Sequence, residues 1–185
     1  MRIEIISGSP RTNSVTNRLA LYLQTLLQQR TGHEIGILDL REIDLPPLQS
    51  VFTSVAHTPE VYKPVAERMF AAQAFILVTP EYNGSYTPDM KNLLDHFPKQ
   101  SRKAFAIATA SPGALGGMRA AMQLQQLIFA LFGIGSPYML ITPGVDKKFD
   151  EEGNLLDPTF QKTIDVFINE FLWLAEKLVE EKVPA

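Results

Sequence analysis

The sequence predicts a doubly wound three-layer α/β/α sandwich on a five-stranded parallel sheet in the order 2-1-3-4-5. Three observations carry that expectation. Short apolar runs alternate with longer helical patterns from end to end, so the unit βα repeats five times. The first, third, fourth and fifth runs are mostly apolar rather than alternating, as strands covered on both faces should be. Finally, 185 residues with 45% hydrophobic and 20% charged side chains suit one packed unit, so a single domain over 1–185 is expected.

Residues 2–7 (RIEIIS) read as the first strand. Residues 15–30 follow as a helix, with Val15, Leu19, Tyr22, Leu23, Leu26 and Leu27 at 3–4 spacing and Gly32 as the expected stop. Residues 34–40 (EIGILDL) form the second strand. Pro46 and Pro47 place 41–58 in a loop, and a helix near 60–72 precedes the third strand, 74–80 (AFILVTP). A polar loop at 81–88 leads into a short helix ending about Phe97. The fourth strand is 103–111 (KAFAIATAS), and a glycine-rich turn at 112–117 opens a helix to about Phe132. The fifth strand is 137–144 (PYMLITPG). A loop over 146–158 turns at Glu152, Gly153 and Asn154, and a last helix from about Pro158 shows Phe160, Ile164, Phe167, Ile168, Phe171, Ala175 and Leu178 on one side. Right-handed crossovers then put helices on both faces of the sheet.

Composition removes several function classes. Lys plus Arg is 17 against 20 for Asp plus Glu, a formal charge of −3, so no global basicity draws the chain to nucleic acid or an acidic membrane. There is no cysteine, which excludes disulfides, thiolate nucleophiles and iron–sulfur clusters. Glu4 interrupts the only N-terminal apolar run, and no run reaches the roughly 18 residues of a membrane span, so a cytoplasmic protein is expected. His33, His57 and His96 are scattered without metal-ligand spacing, so no metal site is expected. No carboxylate pair at acid–base spacing stands out, and no catalytic side chain is assigned.

Doubly wound sheets bind ligands beyond the C-terminal strand ends, where the winding reverses. The loop there, SGSPRTNSVT (7–16), runs into a helix start, whose free N–H groups favour an anion. Ser9, Thr12, Asn13, Ser14 and Thr16 add side-chain donors, Arg11 adds a guanidinium fork and Gly8 permits a tight turn. The plain alternative is that Ser14 only caps the helix and Arg11 is a solvated charge. The loop lacks Gly-Lys-Ser/Thr and GxGxxG, which argues against a nucleoside triphosphate or a Rossmann-bound dinucleotide. It also lacks the acidic pair of a receiver domain. The third loop, TPEYNGSYTPDMKNLLD (79–95), has Asn83-Gly84, which is either a bare β-turn or a low-bulk wall for a planar ligand. Lys91 and Asp95 sit at i, i+4 as a surface pair. The fourth, TASPGALGGMR (109–119), has three glycines, which either cap a helix or permit close approach to a ligand.

These loops resemble those of the NADPH-dependent FMN reductases, a flavodoxin-like family that includes quinone, azo-dye and chromate reductases. The resemblance rests on GSPRTNSVT, on Pro80-Glu81-Tyr82-Asn83-Gly84-Ser85 with Lys91, Asn92 and Asp95, and on Ser111 with Gly113. It implies that Ser9, Arg11 and Ser14 hold the FMN phosphate, joined by Asn13, Val15 and Thr16. It implies that the backbone of Pro80, Glu81, Tyr82, Asn83 and Gly84 runs along the flavin ring. Ser111 and Gly113 would lie beside it, with Gly116 and Gly117 as weaker matches. Asp89, Met90 and His96 depart from the pattern. The implied activity is hydride transfer from NADPH or NADH to FMN, then two-electron reduction of a quinone, azo compound, flavin or similar small acceptor. The cofactor would do the chemistry, which suits a chain without an evident acid–base pair. The implied assembly is a homodimer or homotetramer, with the region around Tyr86, His96 and Phe97 closing a neighbour's site. A flavodoxin-type electron carrier and a non-enzymatic flavin sensor are the alternatives. A carrier is disfavoured by the small net charge and by Arg11 in the phosphate loop.

Overall fold

A computed structural model of the chain describes residues 1–180. The C-terminal end of the expected unit, residues 181–185, lies outside the described residues. The strands are β1 (Arg2–Ser7), β2 (Glu34–Asp39), β3 (Ala74–Thr79), β4 (Ala104–Ser111), β5 (Ile134–Gly135) and β6 (Leu140–Pro143). The helices are α1 (Val15–Arg30), α2 (Lys63–Ala71), α3 (Pro88–Asp95), α4 (Met118–Ala130), α5 (Val145–Lys148) and α6 (Gln161–Glu180). All pairings are parallel and the order is β2-β1-β3-β4-β5, with β6 also on β4, as the sequence predicts apart from the split edge.

Two cores sandwich the sheet. On one face Leu19, Leu23 and Leu27 of α1 meet Ile164, Phe167 and Phe171 of α6 over Ile3, Ile5 and Ile76. On the other, Met69 of α2, Leu93 of α3 and Leu124 of α4 pack over Phe75, Leu77, Phe105 and Ile107. Phe75 and Phe105 are in register and stack with centroids 5.1 Å apart. Burying each ring contributes about 1.5–3 kcal/mol.

The expected fifth strand is corrected. Its place is filled by two segments, with Ala104 opposite Ile134 but Ala108 opposite Leu140, so four residues face two across the break. Pro137 lies in the break and has no N–H for the ladder, and the bulge twists an exposed sheet edge away from further pairing. Smaller corrections follow local chemistry. Thr31, not Gly32, ends α1: its N–H and its hydroxyl both donate to the Leu27 carbonyl, at 3.0 and 2.8 Å. The loop after β6 holds the one-turn helix α5, which Gly144 enters in the left-handed region.

Glu4, the interruption noted in the first strand, is fully buried beneath α2. Its carboxylate accepts a bidentate pair of hydrogen bonds from Arg68 and a third from Arg2 at 3.3 Å. Gly36, its register partner on β2, leaves the room: a Cβ there would stand 2.5 Å from the Glu4 carboxylate and 2.6 Å from the Arg68 guanidinium.

Candidate functional site

Register sets the site. Ser7 is level with Val78, and Val78 with Ala108, so three loops leave β1, β3 and β4 side by side. The chain winds from β1 outward to β2 and then back across to β3, which makes β1/β3 the switch point.

The loop after β1 is pinned along its length. Gly8 N–H donates to the Val78 carbonyl at 2.7 Å, and Thr87 donates its hydroxyl hydrogen to the Gly8 carbonyl. Gly8 is glycine because a Cβ would strike the Met90 methyl and stand 3.0 Å from the Val78 carbonyl. The Met90 departure is thus a packing choice beneath this loop. Arg41, held by Asp39, donates to the Thr12 carbonyl at 3.3 Å. Ser14 caps α1 by accepting from Asn17 N–H at 3.2 Å, which realises the plain alternative, yet its own hydroxyl hydrogen stays available for an anion. Thr16 is buried and donates to the Ala110 carbonyl at 3.3 Å, so it joins α1 to β4.

In the loop after β3, Tyr82 and Ser85 exchange backbone hydrogen bonds of 2.8 and 3.1 Å around Asn83 (φ 50°) and Gly84 (φ 86°). Positive φ at both central residues is a type I′ turn, for which Asn-Gly is the preferred pair. The turn presents Tyr82 to the first loop, and the Arg11 guanidinium stacks 4.9 Å from its ring centroid.

The loop after β4 is shaped by packing. Gly117 caps α4 at φ 89°, and a Cβ there would lie 2.8 Å from Thr109; at Gly116 it would lie 2.6 Å from the Pro143 nitrogen. These two glycines seat the helix on the sheet, and both are buried. Gly117 has no side chain to cap α4. Glu81 does so from the neighbouring loop, accepting from Arg119 N–H at 3.1 Å and from the Arg119 guanidinium at 3.3 Å.

Together the loops enclose a cavity of about 320 Å³. Ser9, Arg11, Asn13, Ser14, Val15, Thr16, Pro80, Glu81, Tyr82 and Ser111 all line it, with Ala110 and Pro112. Asn83 lines an adjoining groove with Tyr86 and Lys91, while Gly84 and Gly113 line neither. A second recess of about 230 Å³ lies on the other side of the first loop, between Asn13, Arg18 and Arg41. Ala110, Pro112, Arg41 and Arg119 are absent from the sequence assignment. Ala110 and Pro112 flank Ser111 and were legible from the end of the fourth apolar run; the two arginines act across the fold and carry no local signal.

The lining joins a helix N-terminus, Ser14 and Arg11, which suit a phosphate, to Pro80, Tyr82, Ala110 and Pro112, which suit a flat apolar group. The Tyr82 hydroxyl is buried there without a hydrogen-bond partner. Glu81 is the only carboxylate among the lining residues, and Arg119 engages it. That donor set fits a flavin phosphate better than a reaction needing paired acid and base. His96 and Phe97, expected near the mouth or a subunit contact, are instead buried against Phe52, with His96 Nδ1 2.8 Å from the Asn92 carbonyl. In the adjoining groove, burial and then the nearby Asp95 push the Tyr86 phenol up from its ordinary value. Lys91 and Asp95 pair on the surface of α3, as expected.

Residues 1–141 match the NADPH-dependent FMN reductase family. An FMN-dependent NADPH-azoreductase of Staphylococcus aureus (strain USA300) is 31% identical over 173 residues, covering 91% of this chain and 92% of the relative. Among solved structures, the flavoenzyme NAD(P)H:(acceptor) oxidoreductase FerB of Paracoccus denitrificans is similar at TM-score 0.79 and 24% identity, covering 95% and 97% of the two chains. RosB with bound 8-demethyl-8-formylriboflavin-5′-phosphate is similar at TM-score 0.75 and 15% identity, covering 100% and 82%. A flavodoxin from Pseudomonas aeruginosa shares the fold at TM-score 0.55 and 19% identity, covering 99% of this chain and all of that one. No helix among the described residues is long and apolar enough to cross a membrane. The chain belongs to the NADPH-dependent FMN reductase family and is an oxidoreductase that works with FMN and NADPH.

Proposed function

We propose that FMN occupies the cavity with its phosphate on Ser9, Arg11 and Ser14 and its ring between residues 80–84 and residues 111–113. NADPH then reduces it, and a quinone, azo compound, free flavin or similar small molecule takes the two electrons. The observation that carries this reading is the cavity's mixed lining: Arg11 and the Ser14 helix N-terminus stand beside walls of proline and tyrosine. FMN, when bound, supplies the two-electron store. Arg11 neutralises the phosphate after its side chain leaves the Tyr82 ring, an exposed stacking worth about 0.5–1 kcal/mol. The Ser14 hydroxyl donates while its lone pair keeps the helix cap. The Thr16 bond to Ala110 holds the phosphate end against β4, and the Glu81 bonds hold the two ring walls together. No side chain is required to move a proton at the reducing step, because hydrogen leaves NADPH with its electron pair. A cytoplasmic setting is part of this reading.

The purified protein is expected to be yellow, or to become so with added FMN, and to bleach in one two-electron step on anaerobic NADPH. A chain that takes up no FMN would overturn the assignment, and a stable one-electron radical spectrum on reduction would favour the electron carrier.

The reading includes a homodimer or a dimer of dimers. With His96 and Phe97 buried, the contact is reassigned to α4 and the turn after it, where Met118, Met122, Phe129 and Phe132 lie exposed in a stripe that Leu115 and Ile134 extend. The stripe starts at the glycine turn beside the cavity and is apolar enough to mark a binding face. Phe129→Glu is expected to convert the assembly to monomers in analytical ultracentrifugation. A wild-type monomer, or an oligomer indifferent to the substitution, would refute this surface.

A further inference from the structure

Arg119 is the second residue of α4, and the Glu81 carboxylate takes hydrogen bonds from both its backbone and its guanidinium. The backbone bond supplies the helix cap, and any residue type would provide it. The side-chain pair adds little stability, because its arginine partner is 66% exposed and exposed ion pairs contribute about 0–1 kcal/mol. Capping and stability therefore leave the charge unexplained.

Its position explains it better. The arginine stem passes over the Asn-Gly turn, with Arg119 Cδ 3.8 Å from where a Gly84 Cβ would stand. It also follows the glycine turn that begins with Ser111 and Pro112. Arg119 thus stands behind a lining residue of the cavity, bonded to Glu81 and 66% exposed. The bond to Glu81 engages one guanidinium nitrogen, and the fork has further donors on its other edges. A dinucleotide that stacked its nicotinamide on a ring in this cavity would keep its phosphates outside it, where an exposed guanidinium bonded to a lining residue could meet them. It is a polyanion approaching a chain of net charge −3, so a local cation on its path matters.

We propose that Arg119 is a specificity-determining residue that binds a phosphate of the nicotinamide dinucleotide, with Glu81 orienting it. This rests on the flavin reading above. The 2′-phosphate and the pyrophosphate share this chemistry, and the test separates them.

The experiment is calorimetric titration of the FMN-loaded protein with NADP+ and with NAD+, for wild type, Arg119→Ala and Arg119→Lys. Arg119→Ala is expected to raise the NADP+ Kd roughly tenfold, the low end for a hydrogen bond between charged groups. Arg119→Lys is expected to recover part of that loss. An effect on NADP+ alone assigns the contact to the 2′-phosphate, and equal effects on both assign it to the pyrophosphate. FMN affinity, measured by fluorescence quenching, is expected to change less than about twofold, because the backbone cap on Glu81 survives. Unchanged Kd values for both dinucleotides would overturn the proposal. So would loss of FMN from Arg119→Ala. Failure of the flavin reading itself would show separately, as a wild-type protein that never takes up FMN.

Discussion

Arg68→Met is expected to destabilise the protein by about 3 kcal/mol, the lower end of what breaking a buried ion pair costs. Glu4 lies on β1 with no exposure, and Arg68 supplies two of the three hydrogen bonds to its carboxylate. Removing Arg68 leaves the charge in the core with Arg2 alone, which reaches it through one 3.3 Å bond. The lower end applies because Arg2 remains and because the Arg68 side chain is 30% exposed, so water screens part of the loss. Against a total stability of about 5–15 kcal/mol, this is a large fraction. For a chain of this length it corresponds to roughly 6–12 °C in Tm. The decisive comparison is the double variant Glu4→Leu with Arg68→Met, measured by urea unfolding. Replacing both charges by apolar groups is expected to return most of the loss, since a buried pair repays little more than its own desolvation. A single variant as stable as wild type, or a double variant worse than the single, would show that the pair is not held as described.

Arg11→Ala is expected to weaken FMN binding by about 1.5–3 kcal/mol, the usual range for a hydrogen bond to a charged group. In Kd that is roughly 10- to 150-fold. Riboflavin, which lacks the phosphate, is expected to lose much less. Arg11 is exposed and its guanidinium lies on Tyr82, so the substitution removes no core packing and the apoprotein is expected to keep its Tm. Equal losses for FMN and riboflavin would mean that Arg11 serves the ring end through Tyr82 and never reaches the phosphate.

The contrast between these two arginines shows which parts of the molecule were legible in the chain. Arg11 was legible because its loop carries local signals, Gly8 for the turn, Ser14 for the cap and the apolar spacing of α1 behind it, although the contacts that pin the loop, to Val78, Thr87, Arg41 and Tyr82, are distant in sequence. The same holds for Asn83-Gly84, whose left-handed conformations follow from the residue types. Arg68 was not legible. It lies in an ordinary amphipathic helix, and its partner is 64 positions away, the one polar residue in the interior of strand β1. Gly36, which makes room for the pair, reads in the sequence as a weak strand residue.

Hydrophobic period and turn chemistry, both short-range properties, determined the α/β alternation, the strand order expected of it and the three loops that form the cavity. Tertiary structure alone decided how those loops are held. Glu81 caps a helix that begins more than thirty residues later, because Gly117 is pressed too close to Thr109 to carry a side chain of its own. It also decided the broken edge strand, the burial of His96 and Phe97, and the apolar stripe left exposed on α4. The physical reason is common to all of them. Burial and hydrogen-bond partnership belong to pairs of surfaces, and a residue's type does not name the surface it will meet.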